Sequence, residues 1–112
     1  MAINIGKPHV GDVNTDFQLV CEETNVGKTA NTVINLAGTT SVSIYFERPD
    51  RTILGPFTAR IVTPPGTDGI IGYINGDSTL LSVSGYWKRW GKINFSDGGV
   101  FYTNHVIFQV LP

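Results

Sequence analysis

Two histidines, His9 and His105, a single cysteine, Cys21, and nine carboxylates are the side chains of this sequence with chemistry to offer, and their spacing limits what they can do. A zinc centre asks for about four nitrogen or sulfur ligands, usually in close pairs, and two distant histidines with one cysteine do not supply them. A serine hydrolase places its nucleophile on a sharp strand-to-helix turn, whereas SVSG at 82–85 lacks the first glycine of that elbow and is followed by no helix. A calcium loop needs carboxylates at alternating positions, but NGDST carries only Asp77 and TDG only Asp68. GTDG and SDGG look like phosphate cradles until one asks for the helix N-terminus that would complete them, and they read as turns. Glu22, Glu23, Glu47 and Asp50 are scattered at strand ends instead of paired across a groove, as glycoside hydrolysis would require. The expectation is a non-enzyme with no catalytic group, no cofactor and no metal. Cys21, at the end of an apolar alternation, is expected to be a buried, inert thiol, and His105 an exposed side chain.

The bulk properties agree with a binding or structural role. A chain of 112 residues with 41% hydrophobic content has enough apolar surface for one domain and too few residues for two. Eight basic against nine acidic residues leave a net charge of −1, without the basic footprint of a nucleic-acid binder or a polybasic membrane surface. One cysteine rules out an internal disulfide. No run is apolar for long enough to span a bilayer, and the opening MAINIGKPHVGD has neither the basic end nor the apolar stretch of a signal peptide, so synthesis in the cytoplasm is expected.

The elements that must position any site read as strands. β-branched and aromatic residues alternate in short runs, broken by glycine, proline, asparagine and aspartate, and no stretch carries a helical period. DFQLVCEE places Phe17, Leu19 and Cys21 on one face. After a polar loop turning at Gly27, a short strand is expected from Val33. TTSVSIYFE has the clearest alternation, with Val42, Ile44 and Phe46 inward and Ser43, Tyr45 and Glu47 outward, and Pro49 and Asp50 make the turn. FTARIV is expected to return as one strand with Phe57, Ala59 and Ile61 sharing a face. IIGYI is another short strand, followed by a connection in which Leu80 or Leu81 plugs the core. The last two strands, 86–95 and 100–110, are joined by SDGG, a hairpin signal. The first puts Trp87, Arg89, Gly91, Ile93 and Phe95 inward. The second puts Val106, Phe108 and Val110 inward, with Phe101 and Ile107 outward.

About seven such strands predict an all-β, immunoglobulin-like antiparallel sandwich over residues 15–112, with residues 1–14 as an amino-terminal arm or edge strand. An oligonucleotide-binding barrel or a jelly roll needs a different strand count. Arg89 on the inner face is a conflict that a bulge, snorkelling to the sheet edge or pairing with an acid such as Asp50 would resolve. The feature left over is the outward aromatic set, Tyr45, Tyr86, Trp90 and Phe101, which with Ile107 suggests a face that something else covers. A protein partner, a cap of loops or the amino-terminal segment, and a glycan stacked on the rings are the three readings.

Laid end to end, IYFERPDRTILGPFTARIV, GIIGYI and SGYWKRWGKINFSDGGVFYTNHVIFQV form a sequence that resembles small immunoglobulin-like proteins of tailed bacteriophages. It is similar in particular to the N-terminal domain of the phage baseplate upper protein family. That family's pattern is a strand with a PDGT-like turn, a DGxIxY strand, a GxWKxxxxVxFxDG strand and an xVxFxV ending. Gly85, Trp87, Lys88, Phe95, Asp97, Gly98, Val106, Phe108 and Val110 carry the resemblance, which covers residues 40–110. Arg51 stands where the family often has glycine in the turn. The resemblance implies a virion structural subunit that docks on a baseplate, tail, neck or capsid surface. Its implied partners are other virion proteins and further copies of itself, with no nucleic acid and no membrane.

Overall fold

The computed structural model describes residues 7–23, 32–77 and 79–112, so the expected turn at Gly27 and residues 1–6 of the amino-terminal segment lie outside the described residues. The described residues contain no helix. Their strands are β1 (Asp16–Val20), β2 (Glu22–Glu23), β3 (Thr32–Val33), β4 (Thr39–Glu47), β5 (Ile53–Thr58), β6 (Arg60–Ile61), β7 (Ile70–Ile74), β8 (Gly85–Phe95), β9 (Val100–Tyr102) and β10 (Val106–Val110). Seven of them are three residues or longer.

Two antiparallel sheets face each other. One runs β1-β7-β6; the other runs β10-β8-β4-β5, with β9 beside the far half of β8. With β1, β4, β5, β6, β7 and β8 read as strands B, C, C′, D, E and F and β9 with β10 as G, this is the strand order of an immunoglobulin-like sandwich. Of the amino-terminal segment, residues 8–10 form an edge beside the last strand: His9 bridges Leu111 in parallel, and Val10 donates to the Leu111 carbonyl at 2.8 Å.

Between the sheets, alternation has done what the period-2 pattern requires. Phe17, Leu19, Val42, Ile44, Phe46, Trp87, Ile93 and Val110 are buried, while Ile61, Phe95 and Phe108 are partly buried against them. Phe46 sits at the centre of an aromatic cluster, edge-on to Phe17 at 4.9 Å and to Phe108 at 6.2 Å. Such pairs add about 0.5–1.5 kcal/mol beyond the area they bury. Trp87 is fully buried, and its indole Nε1 donates to the Val83 carbonyl at 3.1 Å, so its one polar atom is satisfied within the connection leading into β8. Leu36, Ile71 and both Leu80 and Leu81 complete the core.

Three expectations need correction. Val106 is 38% exposed, because at the start of β10 it lines the open groove between β10 and β1 and not the closed core. FTARIV is not one strand: β5 starts earlier, at Ile53, and the chain leaves it after Thr58 so that Arg60 and Ile61 pair with β7 in the other sheet. Pro56 is tolerated inside β5 because that strand is a sheet edge, where a missing N–H breaks no ladder. Residues 100–110 are likewise two strands, with consequences taken up below.

Arg51 adopts φ +73°, the left-handed conformation that closes the three-residue turn between Arg48 and Thr52, and glycine takes this conformation at little cost. Arg51→Gly should therefore hold or raise stability, by up to about 1 kcal/mol, in urea unfolding. Cys21 is fully buried, and desolvation pushes its thiol from 9.0 up to about 11. The folded chain thus keeps a proton that the unfolded chain releases, so the thiol's contribution to stability is complete below about pH 9 and is lost as the pH rises through about 11. Thiol titration at pH 8 with an aromatic disulfide reagent should find no reactive group in the folded protein and one equivalent after denaturation.

Candidate functional site

The candidate site is the outer face of the five-stranded sheet, and one irregularity in the last strand decides its composition. β9 pairs with β8 in the register Lys92↔Tyr102 and Ile93↔Phe101, whereas β10 pairs as Arg89↔Val106 and Lys88↔Ile107. Residues 103–105 therefore oppose only Trp90 and Gly91, which makes a β-bulge. Thr103 holds it: the Gly91 N–H donates to Thr103 Oγ1 at 2.8 Å, and the Thr103 N–H donates to the Gly91 carbonyl at 2.9 Å. Gly91 fits closely there, since a Cβ would lie 2.9 Å from Ile71 Cδ1 and 3.2 Å from Thr103 Cγ2 and would push the Ile71 terminal methyl aside.

The extra residue shifts the alternation by one. Phe101 consequently lies opposite Ile93 and packs against the core, which corrects its expected place on the outer face. Val100 and Tyr102 take the outward positions instead, 54% and 56% exposed. The SDGG turn offered a signal for this: Gly98 at φ +92° closes a three-residue loop in which Phe95 donates to Gly99 at 2.8 Å. Counting back from that closing pair places Phe101 beside Ile93.

Trp90 points outward as its strand position predicts, but it is only 9% exposed, so it does not offer a free ring. Tyr45, its cross-strand partner, stacks on it at 5.6 Å and 7°, and His105, delivered by the bulge, stacks on it at 4.4 Å and 24°. His105 is exposed, yet serves as a cover. The open part of the face lies beyond this stack. Tyr86 and Ile107, on adjacent strands, are 66% and 64% exposed. A shallow groove of about 340 Å³ runs between them and Lys7, Pro8, Phe108 and Gln109.

Charge on this face is mixed and solvated. Lys88 pairs with Glu47 at 3.9 Å, and the Lys92 ammonium lies 5.7 Å from the Tyr102 ring centre. Surface pairs of this kind contribute little, about 0–1 kcal/mol. Of the residues with chemistry to offer, Asp50 and Asp77 are held below the usual carboxylate range by hydrogen bonds from Thr52 and Thr79 respectively, so they act as turn locks. No three potential metal ligands cluster among the described residues. Arg89 resolves its conflict by reaching the sheet edge, where Nη2 donates to the Gln18 carbonyl at 3.1 Å.

With this geometry in hand, comparison with known proteins finds no family model and no curated protein that matches the chain.

The bulge can be tested directly. Thr103→Val keeps the shape of the side chain but leaves the buried Gly91 N–H without an acceptor, which should cost about 1–3 kcal/mol in chemical denaturation. Loosening the bulge should also shift Trp90 fluorescence as His105 moves, and Thr103→Ser should retain most of both properties.

Proposed function

We propose that the chain is a non-enzymatic structural subunit of a tailed-phage virion, an immunoglobulin-like docking module whose outer five-stranded face seats another protein. The observation that carries the docking part is the exposure of Tyr86 and Ile107 side by side on paired strands. Large apolar side chains held on a rigid sheet bind without the cost of ordering a loop, and aromatic anchors dominate protein interfaces. The groove beside them offers a recess for a partner's side chain. The virion part is supported by the resemblance of residues 40–110 to immunoglobulin-like phage proteins, and by a near-neutral charge that suits neither nucleic acid nor membrane. A glycan platform is less well supported, because the ring best suited to stacking on a sugar, Trp90, is covered by Tyr45 and His105.

Light scattering over a range of concentrations, alongside the Tyr86→Ala, Ile107→Ala double variant, tests the self-docking form of this reading. The wild type should exceed its 12.2 kDa monomer mass and the variant should return to it with unchanged melting, each truncation costing about 2 kcal/mol of association. If both stay monomeric, the same pair is carried into binding assays against purified virion components. Equal binding of wild type and variant, or none by either, would overturn the docking face.

A further inference from the structure

A second surface, away from the aromatic face, is built for a different kind of contact. β1 lies at the end of its sheet, and no strand among the described residues pairs with its other side. Thr15 accepts from Asn75 and Cys21 donates to Gly69, so the odd-numbered residues of β1 turn their backbone groups towards β7. Asp16, Gln18 and Val20 therefore turn their N–H and C=O groups outward, away from the sheet. Across the gap between the sheets stands Val106 at the start of β10, and a groove of about 360 Å³ lies between the two strands, lined by Gln18, Leu19, Val20, Glu22, Asn104 and Val106.

Arg89, on β8, meets this groove at Gln18, one of its lining residues. Its guanidinium lies 5.0 Å from the Phe108 ring centre and 5.9 Å from that of Phe17, and Nη2 donates to the Gln18 carbonyl. Its Nε is buried and has no acceptor among the described residues. Neither ion pair found among them, Arg60 with Asp16 or Lys88 with Glu47, includes it. A half-buried cation with one neutral acceptor and an idle N–H is costly, and a carboxylate would relieve that cost through charge-assisted bonds roughly twice as strong as neutral ones.

We propose that this side, unpaired among the described residues, is a strand-addition site: an extended segment of a partner protein pairs with the backbone of Asp16, Gln18 and Val20 and sets one carboxylate side chain against Arg89. Strand addition draws affinity from main-chain bonds and specificity from the side chains that fall into pockets. Here the specificity is for an acid. A neutral strand would have to draw the guanidinium off its only carbonyl acceptor and offer nothing in return, whereas an acidic one replaces that bond with a stronger one. The same Arg89 bond keeps the edge from pairing indiscriminately, since an inward-pointing charge blunts an exposed strand. This inference does not depend on the aromatic docking face.

The test uses the whole chain, labelled with nitrogen-15, and two short acetylated peptides that alternate valine and threonine, one with a central glutamate and the other with glutamine in its place. The glutamate peptide should bind about tenfold more tightly or better. It should shift the amides of Asp16, Gln18 and Val20, protect them from exchange, and move the Arg89 Nε–H resonance. In Arg89→Met the two peptides should bind alike. Equal binding of both peptides to the wild type, or shifts that avoid residues 16–20, would overturn the proposal whether or not the variant folds. Shifts of these amides with protein concentration alone would overturn it too, by showing that the edge pairs with a second copy.

Discussion

The hydrogen bond from Gly91 to the Thr103 hydroxyl, with its reciprocal bond from Thr103 to the Gly91 carbonyl, sets the phase of the last two strands of the larger sheet against β8. β8 is the longest strand and pairs with β4, β9 and β10, so an irregularity opposite its middle is felt on both faces. Because side chains alternate with a period of two, one unpaired residue is enough to exchange inside for outside beyond it. On the core side, Phe101 and Phe108 both reach the interior although seven positions separate them, a spacing that unbroken alternation forbids. On the solvent side, His105 is carried onto Trp90, and Tyr102 and Ile107 are both left facing water.

The outer face thus has two parts with different characters. Tyr45, Trp90 and His105 form a closed stack in which each ring shields another, which is a structural use of aromatic side chains. Tyr86 and Ile107 lie outside the stack, with nothing among the described residues packed over them to the same extent, and they present their area on the paired backbone of β8 and β10. That exposed apolar area on paired strands is the observation on which the proposed docking face rests.

The sandwich also manages its edges unequally. β5 carries Pro56, which removes a donor from one edge of the larger sheet, and residues 8–10 cover part of the other. Among the described residues β1 has neither device, and what meets its edge there is a side chain from the opposite sheet, Arg89, whose charge finds one carbonyl and two aromatic faces but no carboxylate. A guard that an acid can displace differs from one built into the backbone: it blocks some strands and admits others.

The amino-acid sequence by itself determined the class of fold, the number of principal strands and most of the core. Val42, Ile44 and Phe46, like Trp87 and Ile93, sit in uninterrupted alternating runs where a period of two leaves one inward face. The turn at Gly98 was legible because positive φ there is glycine's to take. What only the tertiary structure decided lies where a strand stops being regular. The bulge at 103–105 depends on a hydroxyl meeting an amide on a neighbouring strand, the switch of Arg60 and Ile61 to the other sheet depends on where β7 lies, and the exposure of Val106 depends on the groove that β10 forms with β1. Each is a contact between residues distant in the chain, and no local pattern of polar and apolar residues carries that information.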